Sequence, residues 1–137
     1  MYSINDFDIG FLIEKKIHIS KELHQGFCDF SGDNSPLHTD HSFAKKLNYK
    51  EPIGYAFLIT TLLSKIYGTI FPGGSELCLS QNCNFKDIYY VGDILSFRIK
   101  VIQKNVDLRL ATLETKVTNQ NHKIIFTGTS VMQLIKL

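Results

Sequence analysis

The sequence predicts an α+β fold, a strongly curved antiparallel sheet wrapped around one central helix, and three features of the chain predict it. The first is Ile53 to Phe71, whose apolar residues surround most of a helical wheel, the pattern of a helix buried on nearly every side. The second is a switch to period two beyond Gly74, clearest where Leu95, Phe97, Ile99 and Val101 alternate with Ser96, Arg98 and Lys100. The third is size: 137 residues, 44% of them hydrophobic, amount to about one ordinary domain, 1–137, with enough apolar surface for one core. Sheet and helix must therefore share it.

The elements follow in order. Residues 11–20, FLIEKKIHIS, suit a strand, and Ser20 before Lys21-Glu22-Leu23 is a plausible N-cap for a short helix to about Phe30. The turn formers Ser31 to Pro36 then predict a loop, with Pro36 excluding a regular helix there, and a second short helix follows over about Asp40 to Leu47. Pro52 opens the long apolar helix and Pro72-Gly73-Gly74 ends it. One strip of that helix, Ala56, Thr60, Ser64 and Tyr67, is small or polar at i, i+4, i+8 and i+11, so it lies on one face and predicts a polar neighbour. Turn signals at 91–93, 105–107 and 119–121 divide the remainder into four strands, about 76–86, 94–104, 108–118 and 123–134, joined as an antiparallel meander.

Composition excludes several function classes. A formal charge of +2, from 15 basic and 13 acidic residues with no run of five or more like charges, is not that of a nucleic-acid binder. Lys15-Lys16 and Lys45-Lys46 read as solvated surface. The longest apolar stretch, Ile53 to Ser64, is well short of the roughly 20 residues a membrane span requires. Met1 to Gly10 carries Asp6 and Asp8 and lacks a signal-peptide pattern, and Cys28, Cys78 and Cys83 are odd in number and read as buried free thiols. The expectation is a cytoplasmic protein with no membrane partner and no metal.

The stretch that could carry chemistry is Phe30 to His38. In a loop around Pro36, Asp33 and His38 can converge, and a carboxylate beside an imidazole makes a general acid/base pair. The same residues also serve any turn, with Asp33 as a cap and His38 on the surface, and both readings stand at this level. Ser64 lies mid-helix, where serine usually bonds its own backbone, and a Ser64–His38–Asp33 triad would lack the Gly-x-Ser-x-Gly elbow that exposes such a nucleophile. The helix start after Pro52 offers free backbone N–H groups to an anion or oxyanion.

The run Ser31 to Ala44, with Pro52-Ile53, Phe71-Pro72-Gly73, Asn84-Phe85 and Gly92-Asp93 in order behind it, resembles the MaoC-like, (R)-specific enoyl-CoA hydratases, which have the hot-dog fold. The resemblance covers most of the chain and implies a hydro-lyase. It would hydrate a trans-2-enoyl thioester of coenzyme A or acyl-carrier protein, or dehydrate the (R)-3-hydroxyacyl thioester, with no further cofactor. It gives Asp33 and His38 the activation of water, Ser64 the support of the aspartate, and the Ala56 backbone N–H the thioester oxygen. Two departures stand out. The family's Asp-x-Asn-Pro is Asp33-Asn34-Ser35-Pro36 here, and its His-Gly pair is Tyr55-Ala56. The Ala56 Cβ excludes positive φ and Tyr55 adds bulk at the mouth, which implies a changed acyl group or a non-standard substrate. Thioester hydrolysis and acyl binding without turnover are the alternatives on the same fold. The resemblance also implies a homodimer with the groove at its interface, burying at least about 1,000 Å².

Overall fold

The computed structural model describes residues 1–136 and contains six strands and four helices. Strand β1 (Leu12–His18) is followed by α1 (Lys21–Ser31), the single-turn α2 (Pro36–Thr39), α3 (His41–Lys46) and α4 (Ala56–Thr69). Then come β2 (Glu76–Gln81), β3 (Asn84–Phe85), β4 (Ile94–Asn105), β5 (Leu110–Thr118) and β6 (Ile124–Leu134). All strand pairs are antiparallel, in the order β1-β4-β5-β6-β2 with β3 also on β6. Only β4-β5-β6 form a meander. The expected single strand over 76–86 breaks at Asn82-Cys83 into β2 and β3, and both pair with β6 rather than with β4. This order places β1 and β2 at opposite edges, so the chain between them must cross the sheet, and α4 makes that crossing.

The period-two pattern sorts side chains as expected. Leu95, Phe97, Ile99 and Val101 of β4 are fully buried while Arg98 and Lys100 face solvent. Leu58, Ile59, Leu62, Leu63 and Ile66 of α4 pack into one cluster with them and with Leu113, Val117 and Phe126. Each such side chain contributes about 1.5–3 kcal/mol on burial, which is why a 14-residue helix of this composition is held against the sheet. The polar strip meets polar partners at its far end: the Tyr67 hydroxyl lies 3.2 Å from Gln81 Oε1, 3.3 Å from Thr115 Oγ1 and 3.4 Å from Ser130 Oγ.

Local signals set the ends of the N-terminal helices. Ser20 Oγ accepts from the Leu23 N–H at 3.0 Å and Asp40 Oδ1 from the Phe43 N–H at 3.0 Å, each satisfying a first-turn donor. Gly32, at φ 74°, ends α1 in the left-handed region that glycine enters without strain. The loop expected through Pro36 is instead the start of α2, because proline is tolerated at the first helical position, where its missing N–H would have had no partner. The Gly92-Asp93 turn is a structural feature: Gly92 takes φ 96°, and the Asp93 carboxylate accepts from the Tyr90 N–H at 2.9 Å and from Gln120 at 2.9 Å. Of the three thiols Cys28 is buried, but Cys78 and Cys83 are exposed at the β2–β3 edge, contrary to the expectation of three buried thiols. No helix among the described residues is long and apolar enough to cross a membrane.

Candidate active site

A cleft of about 820 Å³ opens where the Asp33 loop and α2 face the N-terminus of α4, a size suited to a small organic ligand. Asp33, His38, Tyr55 and Ala56 all line it, with Phe27 and Phe85 among the apolar walls. The expected acid/base pair and the expected oxyanion donor therefore share one cavity.

His38 is held by its own backbone neighbourhood. Ile53 N–H donates to the Leu37 carbonyl at 3.2 Å, and the Ile53 carbonyl accepts from His38 Nδ1 at 2.8 Å. Only an N–H can face a carbonyl oxygen, so Nδ1 carries a proton, and in the neutral ring the free lone pair is on Nε2. Nε2 makes no hydrogen bond among the described residues. Asp33 is exposed to the cleft, and its Oδ1 accepts from the Ser35 N–H at 3.1 Å in an Asx turn. Its own N–H donates to Ser31 Oγ at 3.1 Å. Ser35 thus supports Asp33 through its backbone, which explains why replacing the usual asparagine leaves the turn intact.

Ala56 is the first residue of α4, and the N-cap position, Tyr55, places no side-chain acceptor on the first-turn N–H groups. The positive end of the helix therefore opens into the cleft with its donors available to an anionic oxygen. Ala56 has ordinary helical dihedrals and is absent from the positive-φ residues, so the glycine freedom expected to be lost is not used here. Tyr55 also departs from expectation. Its side chain is only 2% exposed and lies beneath His38, with ring centroids 4.1 Å apart, instead of crowding the mouth.

Ser64 is where the structure and the expected site part. It is exposed and lines a separate groove with Thr60, Tyr67 and Gln81, and it makes no hydrogen bond to Asp33 among the described residues. The reason is axial distance: eight residues beyond Ala56 at 1.5 Å each is about 12 Å along α4. Within this chain Ser64 makes no hydrogen bond to Asp33, and a Ser64–His38–Asp33 triad does not form among the described residues.

Sequence reading missed two groups around the cleft. His24 of α1 donates from Nε2 to the His38 carbonyl at 2.9 Å, and its ring stacks on Tyr55 at 4.7 Å. The spacing of His24, Phe27, Cys28 and Ser31 at i, i+3, i+4 and i+7 is a signal that one face of α1 turns toward this site. The second group is Tyr89, buried before the Gly92 turn, whose hydroxyl donates to the Tyr55 carbonyl at 2.6 Å. No local pattern announces that contact, which joins residues 34 positions apart.

This chain is similar to proteins of known name. The MaoC like domain family matches residues 6–123. The (R)-specific enoyl-CoA hydratase of Aeromonas caviae is 32% identical over 108 residues, 79% of this chain and 81% of that protein. The 3-hydroxybutyryl-CoA dehydratase of Methylorubrum extorquens is 29% identical over 108 residues, 79% of this chain and 69% of that protein. Among solved structures, the R-hydratase PhaJ1 from Pseudomonas aeruginosa superposes with a TM-score of 0.92 at 26% identity, over 98% of this chain and 86% of that one. Fold and relatives together define a hydro-lyase of the hydratase and dehydratase class on a hot-dog fold. The chain belongs to the MaoC-like domain family.

Proposed function

We propose that this protein adds water across the double bond of a trans-2-enoyl thioester, or removes it from the (R)-3-hydroxyacyl thioester, with Asp33 and His38 acting on one water. The observation that carries this reading is the His38 Nδ1 bond to the Ile53 carbonyl, which leaves Nε2 as the basic nitrogen in the cleft that also holds Asp33. In the hydration direction the thioester oxygen sits on the Ala56 N–H, which draws electron density from C3. Asp33 orients the water, His38 Nε2 removes its proton as the oxygen bonds to C3, and the proton returns from the imidazolium to C2. Dehydration is the reverse. The A. caviae relative named for the enoyl-CoA reaction supports the substrate class.

Purified protein should discharge the conjugated absorbance of crotonyl or longer enoyl thioesters, screened on coenzyme A and on acyl-carrier protein. Release of free thiol from saturated acyl thioesters with no loss of that absorbance would overturn the reading in favour of hydrolysis. Binding without either change would mark an acyl-binding module.

Large apolar side chains are exposed on α4 and on the sheet edge. Phe57 is 67% exposed at the start of α4, and Leu77 and Leu79 of the edge strand β2 are 54% and 55% exposed. Exposed apolar side chains beside an unpaired strand edge suit an interface, so the active form is read as a homodimer. Sedimentation at micromolar concentration should give twice the chain mass, and a monomer there would sink this assignment. Two exposed thiols suit a reducing cytoplasm.

A further inference from the structure

One buried side chain touches both members of the acid/base pair. The Tyr55 ring lies against the His38 imidazole with centroids 4.1 Å apart and planes inclined by 31°, while its hydroxyl donates to the Asp33 carbonyl oxygen at 2.6 Å. On its other faces Tyr55 meets His24 at 4.7 Å and Phe27 at 4.8 Å, both on α1. His24 closes the circuit by donating to the His38 carbonyl at 2.9 Å. Behind the ring, the Tyr89 hydroxyl holds the Tyr55 carbonyl at 2.6 Å, fixing the residue that starts α4.

We propose that Tyr55 is a positioning residue, a clamp that sets the tilt of the His38 ring and the path of the Asp33 loop relative to the N-terminus of α4. Asp33 stands on an exposed loop and carries a single side-chain hydrogen bond, to a neighbour two residues away. Nothing else long-range ties that residue down: the 22-residue link from the Tyr55 hydroxyl to the Asp33 carbonyl is its only bond of that kind among the described residues. The hydroxyl is a dependable donor, because burial chiefly, and the neighbouring Cys28, push its ionisation above the ordinary tyrosine range. A histidine in this position, as the family pattern has it, is shorter than tyrosine by the reach of the phenol oxygen. The Tyr55-Ala56 pair is therefore read as an exchange of one support for another.

The kinetic arm of the test rests on the hydratase reading, and the spectroscopic arm does not. Two full-chain variants separate the contacts: Tyr55→Phe removes the Asp33 bond and keeps the stack, and Tyr55→Leu removes both. In ¹⁵N-histidine-labelled protein at mildly alkaline pH, the His38 ring, assigned by its loss in His38→Gln, should show the Nδ1–H tautomer in the wild type. It should show averaging of the two nitrogens in Tyr55→Leu. With enoyl thioester, kcat should fall about tenfold in Tyr55→Phe and about a hundredfold in Tyr55→Leu with KM nearly unchanged, the scale on which a misplaced catalytic group slows a reaction. If the melting temperature alone drops while the ring signature and kcat stay at wild-type values, Tyr55 is a packing residue and the proposal is wrong. Where Tyr55→Leu fails to fold, an unchanged kcat in Tyr55→Phe overturns it as well. A wild type without turnover would refute the hydratase reading, and the ring signature would then decide Tyr55 by itself.

Discussion

Replacing His38 by Gln, or Asp33 by Asn, should lower the turnover of an enoyl thioester about a thousandfold, within the range that general acid–base groups contribute. Glutamine can still place an N–H on the Ile53 carbonyl, so the segment before α4 keeps its partner. What it cannot do is take a proton, since an amide has no basic nitrogen. The Asp33→Asn side chain retains an oxygen for the Ser35 N–H and so keeps the Asx turn, but it loses the charge that orients water and steadies an imidazolium. Both changes fall on side chains outside the core cluster, so near-UV dichroism and the melting temperature should stay close to wild type. The check is the loss of enoyl absorbance per folded protein, and wild-type rates in both variants would remove Asp33 and His38 from the chemistry.

Gly54→Ala should destabilise the fold by about 1–3 kcal/mol or more, the usual cost of overpacking, and should disturb the site as well. A β-carbon at residue 54 would overlap one edge of the Tyr89 ring. Neither partner has room to retreat. Gly54 N–H donates to the Tyr89 carbonyl at 2.6 Å, and the Tyr89 side chain is 2% exposed and bonded to the Tyr55 carbonyl. The strain must pass to Tyr55, and from there to His38 and Asp33. Urea unfolding of Gly54→Ala, Tyr89→Ala and the double variant closes a cycle. The double variant should be more stable than the sum of the single losses, because removing the ring leaves the added methyl free of its clash. Additive losses would show that the glycine is needed for another reason.

These expectations depend on features of very different legibility in the chain. Period two at Leu95 to Val101 and the apolar wheel at Ile53 to Phe71 announce a sheet over a buried helix, because a repeat of side-chain direction is a local property of the backbone. Ser20 announces its helix for the same reason, a cap being settled within three residues. Strand order is not local. Pairing of β2 with β6 across a separation of about 50 residues is decided by which edge α4 reaches, and a turn-by-turn reading of a meander misses it.

The site divides in the same way. Asp33, His38 and Ala56 could be named from the order of motifs, and they do share one cleft. Ser64 was placed by the same order and lies in another groove, because the order of motifs does not say which groove a residue faces once the helix is packed. The sequence alone determined the fold class, the helix and strand content of most segments, and the residue types available for acid/base work, all of which depend on near neighbours and on periodicity. Only the tertiary structure decided which nitrogen of His38 is free, that Tyr55 lies under the imidazole rather than over the cleft, and that Tyr89 and His24 belong to the site. Those outcomes depend on contacts between residues 14 to 34 positions apart, and such contacts exist only once the sheet has closed around the helix.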